Sequence, residues 1–280
     1  MCYAYRDEGS EEPLPNHLAD VASCCRERWE FAALASKISR VLNISRNDVQ
    51  CAITLAALLH DIGKAAEIYQ KDCASSKCTQ FSGHYLISMF LVDLAFRASG
   101  IPLSSSDVIS FIEDRVSDME SGDGATTEKK VLALLVLLPI AFHHYHQVRG
   151  FTSYNVYRDG DATNVGRFIE SPKIWSPCIE KLDVVGQRLD SELAVCRQGT
   201  VVDWLDVLGK LRQILSNIDL YRESDLYRGS RILVENLGVA IEKNLKNVSV
   251  TLSRTVIESV VGLINLCDGY VAYRARMGRG

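Results

Sequence analysis

Leu58-Leu59-His60-Asp61-Ile62-Gly63-Lys64 closes a stretch whose apolar residues recur at helical spacing, with Ile53, Ala56 and Ala57 on the same side. Read as the end of a helix, the segment puts an imidazole and a carboxylate on consecutive residues of the last turn. Gly63 then lets the chain bend away, and Lys64 falls about one turn beyond. A His-Asp pair alone is a weak signal, because a surface pair at any helix end gives the same letters. Its company gives it weight. Five of the six histidines fall in order as His17, His60, His84 and the pair His143-His144, and Asp268 closes the series. Singly, His17 reads as a surface residue at a helix start, His84 as a cap, and His143-His144 as bases favoured by a helix C-terminus. Together they read as ligands, since neutral imidazole is the commonest protein ligand for divalent transition metals and a carboxylate in such a set bridges two ions.

Outward from that segment the periodicity stays helical. Helices are expected over Asn16 to Leu42, Arg46 to Ile62, Ser82 to Ser99, Ser105 to Met119, Thr127 to His146, Val201 to Arg222, Ser230 to Lys246 and Thr251 to Arg276. Ser45-Arg46-Asn47-Asp48, Ser104-Ser105-Ser106-Asp107 and Thr126-Thr127-Glu128 read as start signals, and Gly100 before Ile101-Pro102 as a stop. The fold class is all-α, with no sizeable sheet. Arg149 to Arg167 reads as one long irregular stretch within a loop-rich insertion spanning 149–200. Its Arg149, Tyr154, Tyr157 and Arg158 are candidates to line a substrate channel, against the plainer reading of a surface insertion, and 155–160 has the letters of a small hairpin.

The chain has 280 residues, 47% hydrophobic and 24% charged, enough for one large folded domain or two small ones. The apolar run from Val131 to Phe142 is shorter than a membrane span and reads as a buried helix bent at Pro139. Acidic Asp7-Glu8 stand where a signal peptide needs basic residues, so a cytoplasmic protein without a membrane partner is expected. Nine cysteines, an odd number, are then expected to be mostly reduced core thiols; Cys73 and Cys78 have the spacing of half a zinc site, with no second pair to complete it. A net charge of -4 argues against nucleic acid being gripped over the whole surface. Local basic candidates are Arg26 and Arg28, Lys129-Lys130 and the tail from Tyr273 to Gly280, each with the plainer reading of a solvated face.

Leu59-His60-Asp61-Ile62-Gly63-Lys64 resembles the signature of the HD phosphohydrolase superfamily, all-helical metalloenzymes that hydrolyse phosphoesters. His17 and Asp268 match that superfamily's first and last ligands. Phe81-Ser82-Gly83-His84-Tyr85-Leu86-Ile87-Ser88 and Ala141-Phe142-His143-His144 are similar to the extra motifs of the HD nuclease of type I CRISPR interference systems. The Cys-x-Ala-Tyr start and the His17-Leu18-x-x-Val21 helix resemble its stand-alone archaeal form. The resemblance implies a single HD nuclease domain over 1–280, with His17, His60, Asp61 and Asp268 on one ion and Asp61, His84, His143 and His144 on another. The departures are Tyr145-His146-Gln147 after the double histidine, where the family often has Gly, and the apolar surroundings of Asp268. Asp219 is the rival for the closing ligand.

Two ions on such a set would share and activate a water, and Lys64, with Asp61 the candidate catalytic pair, would stabilise the pentavalent phosphorus or protonate the leaving oxygen. One or two divalent ions are expected, with the imidazole-rich set favouring manganese, iron, cobalt or nickel over magnesium. The implied substrate is single-stranded DNA, with RNA as a second polymer. The implied partners are a separate helicase subunit and the RNA-guided surveillance complex, since no Gly-x-x-x-x-Gly-Lys-Ser/Thr loop occurs in the chain. The alternatives are a mononucleotide phosphohydrolase of the same superfamily, a cyclic-dinucleotide phosphodiesterase, disfavoured by the missing Gly-Tyr-Pro element, and an HD-fold scaffold that cuts nothing.

Overall fold

The computed structural model describes residues 1–119, 124–144, 161–182, 196, 200–245 and 251–277. Among them the architecture is a helical bundle, and the only sheet is a two-stranded hairpin, β1 (Tyr3–Asp7) and β2 (Ser10–Pro13). The helices are α1 (Leu14–Glu27), α2 (Trp29–Leu42), α3 (Arg46–Leu59), α4 (Glu67–Ser75), α5 (His84–Ala98), α6 (Ser105–Ile112), α7 (Gly124–Phe142), α8 (Asp161–Glu170), α9 (Trp204–Tyr221), α10 (Asp225–Leu245) and α11 (Leu252–Arg276).

Three helices form the centre. From Val49 to Leu59 α3 is buried on all sides apart from Gln50, and α5 is buried from His84 to Phe96. The run Val131 to Ala141 of α7 is buried as well, and α7 continues as helix through Pro139. Helices without a polar face belong in a core. α3 and α5 both pack on α7, while α1 packs on α3 and α11, and α9 and α10 pack on α5. His60 and Asp61, His84, and His143 and His144 therefore sit at the ends of the three most buried helices of the bundle.

The expected helix over Asn16 to Leu42 is two helices. Arg28 is extended (φ -81°, ψ 141°), so α2 leaves α1 at an angle without any Pro or Gly to mark the break. The expected helix to Met119 ends at Ile112 because Asp114 takes a left-handed φ of 57°. Ser104 and Asp107 form the expected capping box, and Gly100 (φ 78°) ends α5 as its sequence implies. Part of the segment read as irregular is helix: α8 buries Phe168 against Phe90, with ring centroids 6.1 Å apart. His146, Arg149, Tyr154, Tyr157, Arg158 and the hairpin suggested for 155–160 lie outside the described residues.

The expectation of reduced thiols is corrected. Disulfides join Cys2 to Cys178, Cys24 to Cys267, Cys51 to Cys196 and Cys73 to Cys78, leaving Cys25 free and buried. Three of these pairs are separated by 176, 243 and 145 residues, so tertiary folding alone selects the partners. Cys73 and Cys78, bonded to each other, are not a zinc pair. Their loop is pinned to β1 by reciprocal backbone hydrogen bonds between Arg6 and Cys78 of 3.0 and 2.9 Å.

Candidate metal centre

The chain converges on Asp61. His60 and Asp61 follow α3 directly, and a 3-10 turn over Ile62–Ala65 then reverses the chain. Gly63 is needed there for a different reason from the one the sequence suggests. A Cβ at this position would stand 2.1 Å from the carbonyl oxygen of His84 and 2.7 Å from the backbone nitrogen of Ser88. The glycine lets the turn lie against the first turn of α5, and the Gly63 N–H donates to Ser88 Oγ at 2.8 Å. Gln70 on α4 holds the far side, with its Nε2 donating to the carbonyl oxygens of Lys64 and Tyr3, each at 2.8 Å.

Around Asp61 the imidazoles come from four helices. His17 lies in the first turn of α1, His84 begins α5, and His143 and His144 follow the end of α7; Asp268 reaches in from α11. Asp61 Oδ1 is 2.8 Å from His84 Nε2 and 3.2 Å from His143 Nε2. Its Oδ2 faces the other way, 3.4 Å from His17 Nε2 and 3.5 Å from His60 Nε2. Asp268 Oδ1 stands 3.2 Å from His17 Nε2 and 3.9 Å from His60 Nε2. His144 Nε2 is 2.9 Å from His84 Nε2. Two groups result, His17, His60, Asp61 and Asp268 on one side and Asp61, His84, His143 and His144 on the other. In each, all potential donor atoms lie within 4.8 Å of one another.

The rings are aimed by their outer nitrogens. Nδ1 of His60 and of His143 lies 2.7 Å from the carbonyl oxygen three residues earlier, of Ala57 and Ile140, and Nδ1 of His84 contacts the carbonyl oxygen of Phe81 in the same way. A carbonyl accepts only, so each of these rings carries a proton on Nδ1 and turns Nε2 to the centre. The Nε2 atoms of His17 and His60 are buried and make no hydrogen bond, a cost that a cation in the centre removes. A buried donor set of imidazole nitrogens and carboxylate oxygens converging on one centre fits a divalent ion.

Electrostatics agree with that fit. Burial favours a neutral Asp61, but Lys64 and the imidazoles of His60 and His84 outweigh it and hold the carboxyl well below its usual range. Asp268, likewise opposed by burial, is held well below by His17 and His60. His17 is shifted well above the usual imidazole value: burial opposes this, and Asp268, Asp61 and Glu12 prevail. Burial lowers the pKa of His143 against the pull of Asp61, and lowers that of His144 with His143 and His84 reinforcing it; both shifts favour the neutral form in which histidine binds metals. Lys64 Nζ is 2.5 Å from Asp61 Oδ2 and 5.1 Å from the Phe81 ring centroid.

Beside His17 lies a cleft of about 450 Å³, lined among others by Glu11, Glu12, Asp20, Glu27, Tyr270 and Arg274. Asp219, the rival closing carboxylate, is exposed on α9 and outside both groups. Of the basic candidates, Lys130 is buried against Asp107 at 3.0 Å, Arg28 pairs with Glu30 at 2.9 Å, and Arg276 stacks over Tyr5 at 4.4 Å. The sequence reading missed Glu12, whose Oε1 lies 2.7 Å from His17 Nδ1, and Gln70, and it gave no role to Ser88, although that residue ends the motif around His84. No spacing marks Glu12 or Gln70, since each reaches the site through the tertiary fold.

Residues 4–91 match the family model described as Cas3, HD domain. The match supports an HD-superfamily domain of the Cas3 type there, and takes in His17, His60, Asp61, Lys64 and His84. It ends before His143, His144 and Asp268. The chain has no match among curated proteins or solved structures.

Proposed function

We propose that this chain is a metal-dependent nuclease that hydrolyses phosphodiester bonds of single-stranded DNA through two ions held on either side of Asp61. The observation that carries the reading is the division of one carboxylate. Oδ1 of Asp61 faces His84 and His143, and Oδ2 faces His17 and His60. In this reading His17, His60, Asp61 and Asp268 hold one divalent ion and Asp61, His84, His143 and His144 the other. Bound ions would supply a nucleophilic hydroxide near neutral pH and neutralise charge on the phosphate oxygens. Neutral His143 and His144 stay available as donors, and Lys64 aims its ammonium at the charge developing on phosphorus or the leaving oxygen. The cleft at His17 has Tyr270 and Arg274 on its wall for base stacking and phosphate contact, and its Glu11, Asp20 and Glu27 carboxylates would need the charge of the bound ions to admit a strand.

The Cas3-type match over residues 4–91 supports a CRISPR interference context with a nucleic-acid substrate; a separate helicase subunit and the RNA-guided surveillance complex are the proposed partners. On that reading the whole chain is one HD nuclease domain working in the cytoplasm, and its four disulfides suit the cytosol of a hyperthermophile, where such bonds persist. Manganese, nickel, cobalt or iron is the expected ion.

The test is cleavage of end-labelled single-stranded DNA by the purified chain with manganese, nickel, cobalt, magnesium or a chelator, beside Asp61→Ala and a mononucleotide substrate. Metal-dependent polymer cutting that disappears in Asp61→Ala is the expected result. Mononucleotide turnover without polymer cutting would replace it with a nucleotide phosphohydrolase. Metal-dependent cutting that survives in Asp61→Ala would remove the bridging carboxylate from the mechanism.

A further inference from the structure

Three of the imidazoles around Asp61 are aimed by a backbone carbonyl three residues earlier, and His17 is not. Its Nδ1 faces the side chain of Glu12 at 2.7 Å. Both partners are buried, with side chains only 2% and 6% exposed. Glu12 is the one buried residue of β2; its neighbour Glu11 points outward and pairs with Arg6 at 3.0 Å. A carboxylate is costly to bury without a partner, so its inward place in a short edge strand calls for a cation or donor, and His17 Nδ1 is there. The strand is set for this role: β2 runs directly into α1, Leu14 N–H donates to the carbonyl oxygen of Cys2 at 2.9 Å, and β1 is tied to Gln70 beneath the Lys64 turn.

We propose that Glu12 is a positioning residue that keeps the proton of His17 on Nδ1 and turns Nε2 toward Asp61 and Asp268, making the His17-His60-Asp61-Asp268 group the tighter of two metal sites. The inference rests on the two-ion reading above. The first group contains two carboxylates and is backed by a third through His17. The second has three imidazoles and only a share of Asp61, and the outer nitrogens of His84 and His143 meet only neutral carbonyls. A carboxylate behind a ligating imidazole fixes its tautomer and raises its basicity, and removing such a partner typically weakens metal binding about 10- to 100-fold.

The test is calorimetric titration of the chelator-stripped full chain with manganous ion, comparing the native sequence with Glu12→Gln, Glu12→Ala and His17→Ala, and thermal unfolding of each without metal. Two binding steps are expected, the tighter one lost in His17→Ala. Glu12→Gln, which has the same shape and lacks the charge, should weaken the tighter step about 10- to 100-fold and leave the weaker step unchanged. Glu12→Ala should weaken it at least as far. A tighter step unaltered in Glu12→Gln, with only the melting temperature lowered, would make Glu12 a folding residue and overturn the proposal. Equal weakening of both steps would overturn its assignment to one site. Absence of any manganese binding by the native chain would instead overturn the two-ion reading, and the role of Glu12 with it.

Discussion

The ammonium of Lys64 lies 2.5 Å from Asp61 Oδ2, the oxygen that also faces His17 and His60. The contact spans one 3-10 turn, closed by the Lys64 N–H donating to the Asp61 carbonyl at 2.9 Å. Lys64 and a cation therefore compete for one oxygen, and the two roles of Lys64 separate on substitution. Lys64→Gln should bind manganese a few-fold more tightly, because the competing charge is gone, while DNA turnover at saturating metal falls roughly 100-fold or more, the usual loss when a positioned proton donor is removed. Calorimetry and single-turnover cleavage on the same preparation check both. Unchanged turnover would exclude Lys64 from the chemistry.

Cys24 on α1 is bonded to Cys267 on α11, one residue before Asp268, so the two helices that bring His17 and Asp268 together are stapled beside the site. Thiol titration of the denatured, unreduced chain should find one free thiol, from Cys25. Replacing Cys24 and Cys267 by Ser together should lower stability by about 2–4 kcal/mol, the range for a lost native disulfide. Denaturant unfolding measures it, and a count of nine thiols would mean that none of the four bridges forms.

Gly63→Ala sets a methyl group against the backbone of α5, where the nearest atoms, the His84 oxygen and the Ser88 nitrogen, belong to the first turns of a buried helix. Relief requires moving the turn or the helix, so about 1–3 kcal/mol of destabilisation or more is expected. The same displacement separates His84 Nε2 from Asp61 Oδ1, now 2.8 Å apart. Equilibrium unfolding should show a lower midpoint with the slope unchanged, and manganese titration should show loss of the step assigned to the second group.

The central helices and the histidine series were legible because both leave local marks: apolar residues at helical spacing, and imidazoles in an unusual order. The break at Arg28 left none, since an extended backbone there needs no special residue. The hairpin escaped because Glu11-Glu12 in β2 has no strand-forming letters, and α8 because the stretch before it is rich in Gly, Asn and Asp. The disulfides and Glu12 belong to a third kind. Their partners are brought together by folding over long or irregular separations, and only coordinates carry that information.

Lys130, which the sequence offers as a candidate nucleic-acid contact, is buried with its Nζ 3.0 Å from Asp107 Oδ1. Asp107 also accepts from the Ser104 N–H at 2.8 Å as the reciprocal partner in the capping box of α6. Lys130→Ala leaves that carboxylate buried and should cost about 3–5 kcal/mol, the loss seen when one member of a buried pair is removed. DNA affinity of the folded fraction should not change. Weaker DNA binding at undiminished stability would return Lys130 to the nucleic-acid surface.

Asp48 supplies a pH dependence away from the candidate centre. Its buried carboxylate accepts from the Val201 N–H at 3.1 Å and from Trp204 Nε1 at 3.3 Å, joining α3 to the start of α9. Burial raises its pKa above the usual 3.8, and these donors only partly offset the rise. Glu128, raised first by burial and then by the Asp48 charge, shifts the same way. A carboxyl whose folded pKa is raised stabilises most when protonated. Its contribution is fully present below about pH 3.8 and is lost as pH rises through the folded value. Asp48→Asn does not titrate, so its stability deficit relative to the native chain should be largest in acid and shrink toward neutrality, while the Glu128 pKa moves back toward its ordinary value. Denaturant unfolding of both chains across the acid range checks the slope. A deficit that grows with pH would mean that the ionised form of Asp48 is the one the fold prefers.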